Sequence, residues 1–463
     1  MNKTLFKIAA LFLVTTTSLS TFSQTEVSGD QSGTWTVDNS PYHVLGEIIV
    51  PSGQVLIIEA GVEVNFQGHY KFTINGNLQA EGTETDSIFF TTDNQSTGWG
   101  GIRFDGSDSI SNLSFCRIEY GKTSGEFPDN HGGAIALLGS DAVFSNCMFA
   151  DNEAEADNTG MGGAVYANGT GSFSETLTSF TDCKFVHNHA YGEGGAIKFT
   201  GDMNTHIVNC EFIENYCNYG GGAVSFYSVF DTKMTNCLFA YNYTMFSNGG
   251  AIHTLGFSNS LIFENCTIFG NSAVTGDGGG VNLVFATATF VNCIIYDNPG
   301  AYSDDLYLDM GGYAEVNYSN LTMPDDATGS NNIDENPLFV DVDNVDFHLS
   351  ENSPCIDTGT DIGNAYNGEA PDMGCFEFET VTGIQDYSLA DFSVFPNPTS
   401  GKITIRLADT QILRLTVSDL KGSVLIEELS NNSVDLSSLE KGVYLISIET
   451  DKGFFTTKVV KNL

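Results

Sequence analysis

Positive charge is what this 463-residue chain has least of. It holds 17 Lys+Arg against 58 Asp+Glu, a formal net charge of −41. The shortage is concentrated in one region. Residues 391–463 carry eight basic and nine acidic residues, and the first 23 carry two lysines and no acid. That leaves seven basic against 49 acidic residues in 24–390. A body with only Arg103, Arg117 and five lysines lacks the basic footprint that nucleic acid and anionic membrane surfaces require. The excess acid fits solubility or a salty habitat. No loop has good ligand spacing for a divalent cation; only DVDNVD at 341–346 hints at calcium, and no other cofactor is implied.

Long apolar runs are also scarce. The one candidate is MNKTLFKIAALFLVTTTSLSTFSQ at the N-terminus. Lys3 and Lys7 form a positive flank, residues 8–14 an apolar core, and small or polar residues follow. This is the pattern of a signal peptide cleaved near Ser23/Gln24, and the run is short for a membrane span. No Leu-x-x-Cys lipidation site follows it. The expected product is exported through the periplasm, with no transmembrane segment after signal removal.

What the chain has in quantity is repetition. VNCEFIENYCNYGGGAV at 208–224 is nearly rewritten as TNCLFAYNYTMFSNGGAI at 235–252. Aligned on Cys147, Cys183, Cys210, Cys237, Cys266 and Cys293, Asn follows five residues later each time, from Asn152 to Asn298. Phe or Ile stands two residues after each Cys, and Phe, Ile or Met three before. Cys116 and Leu113 start the series. Glycine signatures end at Ile135, Val165, Ile197, Val224, Ile252 and Val281. A period of 27–36 residues signals a solenoid. Dense glycine, β-branched and aromatic residues, and the alternation C-x-F exclude helical repeats. Each repeat offers three short strands: G-G-A-I-x-h, the segment ending at Cys−3, and C-x-F. Stacked about 4.8 Å apart, such coils turn every alignment column into a ladder. Phe columns are expected inside. Asn is expected to take the left-handed conformation at a bend and to bond to its neighbours above and below.

GGAI, GGAV and FxxN resemble the repeats of the polymorphic outer-membrane protein family, within the pectate-lyase-like right-handed β-helices. Residues 116–300 carry the clearest resemblance. GEIIVPSGQVLIIEAGVEVNF, FTINGNLQAEGT and GWGGIRF resemble opening coils of secreted β-helix proteins, and NNIDENPLFVDVDNVDFHLSENSPCIDTG and PDMGCFEFE resemble a closing segment. The implied fold is all-β: a right-handed parallel β-helix over 24–380, with 301–380 as closing coils, and a small C-terminal Ig-like sandwich. There is no room for the membrane barrel that ends some members of the family, which removes an autotransporter mechanism.

Composition changes after a connector at 381–390. Balanced charge and alternating apolar residues predict a β-sandwich over 391–463. PNPTSG, D-x-x-G, L-x-x-G-x-Y and T-K-x-x-K resemble the C-terminal sorting domain of the type IX (Por) secretion system. The matching positions are Pro396, Asn397, Pro398, Gly401, Asp419, Gly422, Gly442, Tyr444 and Lys458. The resemblance implies type IX machinery and its sortase-like protease as partners. It places the product at the outer-membrane surface or outside the cell.

Seven of the ten cysteines, Cys116 through Cys293, fall in the ladder. Side chains aimed the same way from adjacent parallel strands are poorly placed for disulfides, so these read as buried small hydrophobes. Cys217 reads as a loop thiol. Cys355 in SPCID and Cys375 in MGCFE occupy motifs that resemble paired elements of a last coil, and a disulfide between them is expected in the oxidising compartment.

Three functions compete: a surface binding or adhesion protein, a polysaccharide lyase or hydrolase, and a structural spacer. The residue after each glycine signature gives an outward column, Ala136, Tyr166, Lys198, Ser225, His253 and Asn282. Tyr166, Lys198 and His253 are the types able to act as proton donor and base, but a solvated face of mixed polar residues explains the column, and no catalytic residue is assigned. The paired aspartates and G-H-G of polygalacturonase-like hydrolases are absent. His187 and His189 flank Asn188 without a third ligand, so no metal site is assigned. For binding, NHAYGEGG, NYCNYGGG and NYTMFSNGG stack Tyr191, Tyr216, Tyr219, Tyr243 and Phe246 along one loop edge. Exposed aromatics on a rigid rail suit a glycan or a surface protein.

Overall fold

The computed structural model describes residues 24–379 and 392–462, except 108, 170–176, 202–203, 230–231, 257–259, 302–304, 408–411, 420–423, 430–431 and 451–452. The expected signal peptide (1–23) and connector (381–390) lie outside the described residues. The chain divides into two compact units, Met1–Phe378 and Glu379–Leu463.

In the first unit every repeat becomes one coil of a parallel β-solenoid. One coil comprises Val224–Tyr227, Thr232–Thr235, Leu238–Ala240 and Tyr243–Thr244. Each strand pairs in parallel with its copy one coil on, and the alignment columns are the observed register. Phe185 faces Phe212, which faces Phe239, and Ile207 faces Met234. The three Phe rings are fully buried and stack at 4.7 Å with planes 2–3° apart. One apolar core runs from Trp35 to Leu321, and the seven ladder cysteines are buried free thiols within it.

Three strands per repeat was an undercount. A two-residue fourth strand follows each ladder Asn except Asn298: Glu153–Ala154, His189–Ala190, Tyr216–Cys217, Tyr243–Thr244 and Ser272–Ala273. Cys217 is therefore not a loop thiol. It is buried in the inward column between Ala190 and Thr244. Two-residue strands carry too little period to be read from sequence.

The bends also differ from expectation. The left-handed residue is the one before each landmark, not the ladder Asn. Asn209 and Asn236, before cysteines, have φ 53°, and His187 and Glu214, before ladder asparagines, have φ 55° and 53°. The ladder Asn is fully buried instead. The Asn215 side-chain amide donates to Asn242 Oδ1 at 2.9 Å and to the Phe185 carbonyl at 2.8 Å. Asn298 donates to Asp305 Oδ1 at 2.9 Å, so a carboxylate ends the series. Pairing of this kind satisfies polar groups that would be costly to bury alone. Each glycine pair does two jobs. Gly194 takes φ +70°, and a Cβ on Gly195 would stand 2.0 Å from the Gly222 carbonyl oxygen.

The solenoid adds its last strands at Leu306–Asp309, Tyr313–Asn317 and Thr328–Ser330. The segment after them packs on the outside of earlier coils. Phe347 and Phe339 join Leu238, Ala240 and Phe269, and the Cys375 amide donates to Thr267 Oγ1 at 3.0 Å. This explains why the expected Cys355–Cys375 bond is not formed. Both are free thiols in separate clusters: Cys355 beside Ile294, Leu349 and Met373, and Cys375 beside Leu238 and Phe269.

The second unit has antiparallel sheets of three and four strands. They share one core, with Ile403, Ile405 and Val434 from one sheet and Leu415, Val417, Ile446 and Val459 from the other. Several sorting-motif residues have structural work. Asn397 donates to the Lys458 carbonyl at 2.8 Å and accepts from the Val460 amide at 2.9 Å. Tyr444 donates its hydroxyl to the Glu440 carbonyl at 2.8 Å. Gly422 lies outside the described residues.

Candidate functional site

The fourth strand and the loop after it build the aromatic edge. Outward from the short strands come Glu153, His189, Tyr216, Tyr243 and Ser272; inward come Ala154, Ala190, Cys217, Thr244 and Ala273. The five expected aromatic residues fall into two rows. In the inner row His189 stacks on Tyr216 (3.9 Å, 14°) and Tyr216 on Tyr243 (5.0 Å, 5°). Tyr216 is covered by a ring on each face, while Tyr243 has Tyr216 on one side and Ser272 on the other. In the outer row Tyr191 meets Tyr219 (5.9 Å, 57°) and Tyr219 meets Phe246 (6.2 Å, 45°). Tilted rings leave part of each face open. Tyr219 is 45% exposed and Phe246 60%.

The inner row is uncharged at neutral pH. Burial pushes His189 down to about 4, and burial raises the phenols of Tyr216 and Tyr243. His189 Nδ1 lies 2.9 Å from the Glu155 carboxylate, whose side chain is 55% exposed.

The column Ala136 to Asn282 is not a solvated face. All six residues are buried, because the glycine-rich loops fold over that side of the sheet. Tyr166 and Lys198 are register partners on adjacent coils, yet each titratable member of the column has its own contacts. Tyr166 packs with His131 and the exposed ring of Phe127. Lys198 pairs with Glu193, and both bond Ser225 Oγ at 3.0 Å. His253 Nδ1 meets Asn282 Oδ1 at 2.9 Å. The Lys198 ammonium is thus committed to Glu193 and Ser225. Burial lowers His253 and raises Tyr166 to about 12. Glu193 was missed from sequence. Its signal was a lone acid inside a glycine loop, five residues before Lys198.

The body's scarce cations are occupied internally. Lys71 pairs with Asp129 at 2.9 Å, and Lys122 with Glu153, Lys184 with Glu211 and Lys233 with Glu264 at 2.8 Å. Arg117 pairs with Glu119. Arg103 is buried, donates to the Gly132 carbonyl, and is lowered to about 10 by desolvation.

Elsewhere, a cavity of ≈ 480 Å³ at the last coils is lined by Asp297, Asp305 and Asp334 among others, and shares no residue with the aromatic rows. In DVDNVD, Asp341 accepts from Asn344 at 2.7 Å and Asp346 contacts His348 at 2.7 Å. Among the described residues no group of three His, Cys, Asp or Glu is placed to hold a metal ion. Among them, too, no helix is long and apolar enough to cross a membrane.

Comparison with known proteins agrees with this division. Residues 163–332 match the family model described as right handed beta helix region, and residues 393–462 match secretion system C-terminal sorting domain. The body is thus a right-handed parallel β-helix. The tail implies engagement of the type IX secretion machinery, with export to the cell surface or beyond. Two solved structures are similar at 12% identity. Pectate lyase Pel9A has a TM-score of 0.34, covering 71% of this chain and 89% of that one. The tailspike protein gp49 from Acinetobacter baumannii bacteriophage Fri1, a capsular polysaccharide depolymerase, has 0.32, covering 88% and 73%. No curated protein matches the chain.

Proposed function

We propose that this exported β-helix is a surface binding protein, and that its outer aromatic row, Tyr191, Tyr219 and Phe246, is the adhesive site for an extracellular glycan. The observation that carries the reading is the tilted stack of rings at successive coils, with Tyr219 and Phe246 exposed. Partly free ring faces at a regular interval suit the apolar faces of successive sugar rings, and several weak contacts in a row add up. The lyase alternative needs a base and a counter-charge for a substrate carboxylate. The column that holds Tyr166, Lys198 and His253 is buried, with Lys198 tied to Glu193 and His253 to Asn282. The spacer alternative leaves exposed aromatic rings without a purpose.

The test is a glycan-binding screen of the full chain beside Tyr219→Ala and Phe246→Ala. Each substitution is expected to weaken binding at least tenfold with the melting temperature unchanged. Binding that survives both moves the site elsewhere, and cleavage of any glycan returns the enzyme reading. The address is tested separately. Deletion of 391–463 is expected to strand the body in the periplasm, and unchanged surface exposure of the truncated chain would refute it.

A further inference from the structure

Resting on the outer row as the binding site, we infer that its ligand is a polysaccharide bearing free amines, and that carboxylated and sulfated polysaccharides are excluded. Residues 24–390 hold seven basic residues against 49 acidic ones. Six of the seven are ion-paired, and the seventh, Arg103, is buried against a backbone carbonyl. Every Lys and Arg of the body therefore already faces a carboxylate or a backbone carbonyl, and the surplus acid sets up a negative potential around it.

Beside the inner row the balance is the same. Glu155 is exposed, and its neighbour His189 is held neutral rather than positive at ordinary pH. Open ring faces on an acidic body form an environment that attracts ammonium groups, by the ring quadrupole and by charge together. The outer row repeats at coil spacing, so a polymer of sugar rings meets an equivalent aromatic at each step. A protonated amine on such a ring gains from the carboxylates what a carboxylate would lose.

The experiment compares three probes on the full chain at a pH where the amine is protonated: a β-1,4-linked glucosamine oligosaccharide, the same oligosaccharide N-acetylated, and polygalacturonate. The amine-bearing probe is expected to bind at least tenfold more tightly than its acetylated form, and polygalacturonate not at all. The preference should shrink with added salt, and Phe246→Ala should weaken the amine-bearing probe at least tenfold. Equal affinity for the acetylated form, or binding of polygalacturonate, overturns the inference. If Phe246→Ala still weakens whichever probe binds, the aromatic site itself stands. Amine-bearing probe that binds equally well to Tyr219→Ala and Phe246→Ala reports only diffuse attraction to an acidic body, and overturns both. So does oligolysine binding with no glycan bound.

Discussion

Two sets of aromatic columns run along this solenoid, and sequence alone makes them look alike. Inside the tube, Phe185, Phe212 and Phe239 stack at 4.7 Å with planes 2–3° apart, fully buried. On the loop edge, Tyr191, Tyr219 and Phe246 recur once per coil but sit 5.9 and 6.2 Å apart at 57° and 45°. Between these extremes, Tyr216 and Tyr243 are half-buried and parallel, with their faces turned to each other. Periodicity says that a column exists. Ring orientation says whether its faces are spent on neighbours or left for a ligand.

Substitutions graded along this series sharpen the comparison. Phe212→Ala should cost about 3–5 kcal/mol, because it empties a fully buried site in a close-packed stack. Contacts between coils are mainly nearest-neighbour, so the damage should appear as local proteolysis around that coil. Melting and protease resistance like the parent's would show that the inner column is wrongly identified.

Acidification probes the inner loop row. The folded state holds His189 at about 4 against an ordinary value of 6.5, so folding favours the neutral ring. The stability this gives is fully present above pH 6.5 and is lost as pH falls through about 4. The loss should total roughly 3 kcal/mol. Histidine titration by NMR in the folded chain checks it: a value near 6.5 would remove the effect.

Asn215→Ala strips Asn188 of its acceptor and the Phe185 carbonyl of a donor. It should cost about 1–3 kcal/mol, read by denaturant unfolding. Tyr243→Ala should cost about 0.5–1.5 kcal/mol from the lost stack and leave glycan affinity nearly unchanged. Phe246→Ala, at the exposed end, should change stability by about 0.5 kcal/mol or less and yet weaken binding. A Tyr243→Ala variant that loses ligand without losing stability would reverse the roles of the two rows.

The solenoid was legible because its columns are set by a strict requirement. A residue that stacks on its own copy every coil must be repeated, so Cys, Phe and Asn recur at fixed offsets. The strands that start at the last residue of each glycine signature, such as Ile252–Leu255, and the strands of the C-x-F segments carry enough alternation to be read. Tyr216–Cys217 does not, since two residues define no period, and Cys217 was misplaced with it. The buried column of Tyr166, Lys198 and His253 was misread for another reason. Strand alternation points those side chains away from the tube, but only the folded loops cover them, and loop paths are not periodic. The same holds for Cys355 and Cys375. Their motifs look paired, yet the closing segment lies along the flank of earlier coils, where Thr267 and Ile294 divide them between two clusters.

The account stands on the two loop rows having different work. Hydroxyl-radical footprinting of the full chain, with and without a saturating glycan ligand, separates them residue by residue. The account predicts that ligand protects Tyr191, Tyr219 and Phe246 while the modification of Tyr216 and Tyr243 stays as it was. Protection confined to Tyr216 and Tyr243, or ligand bound with none of the five protected, would contradict it.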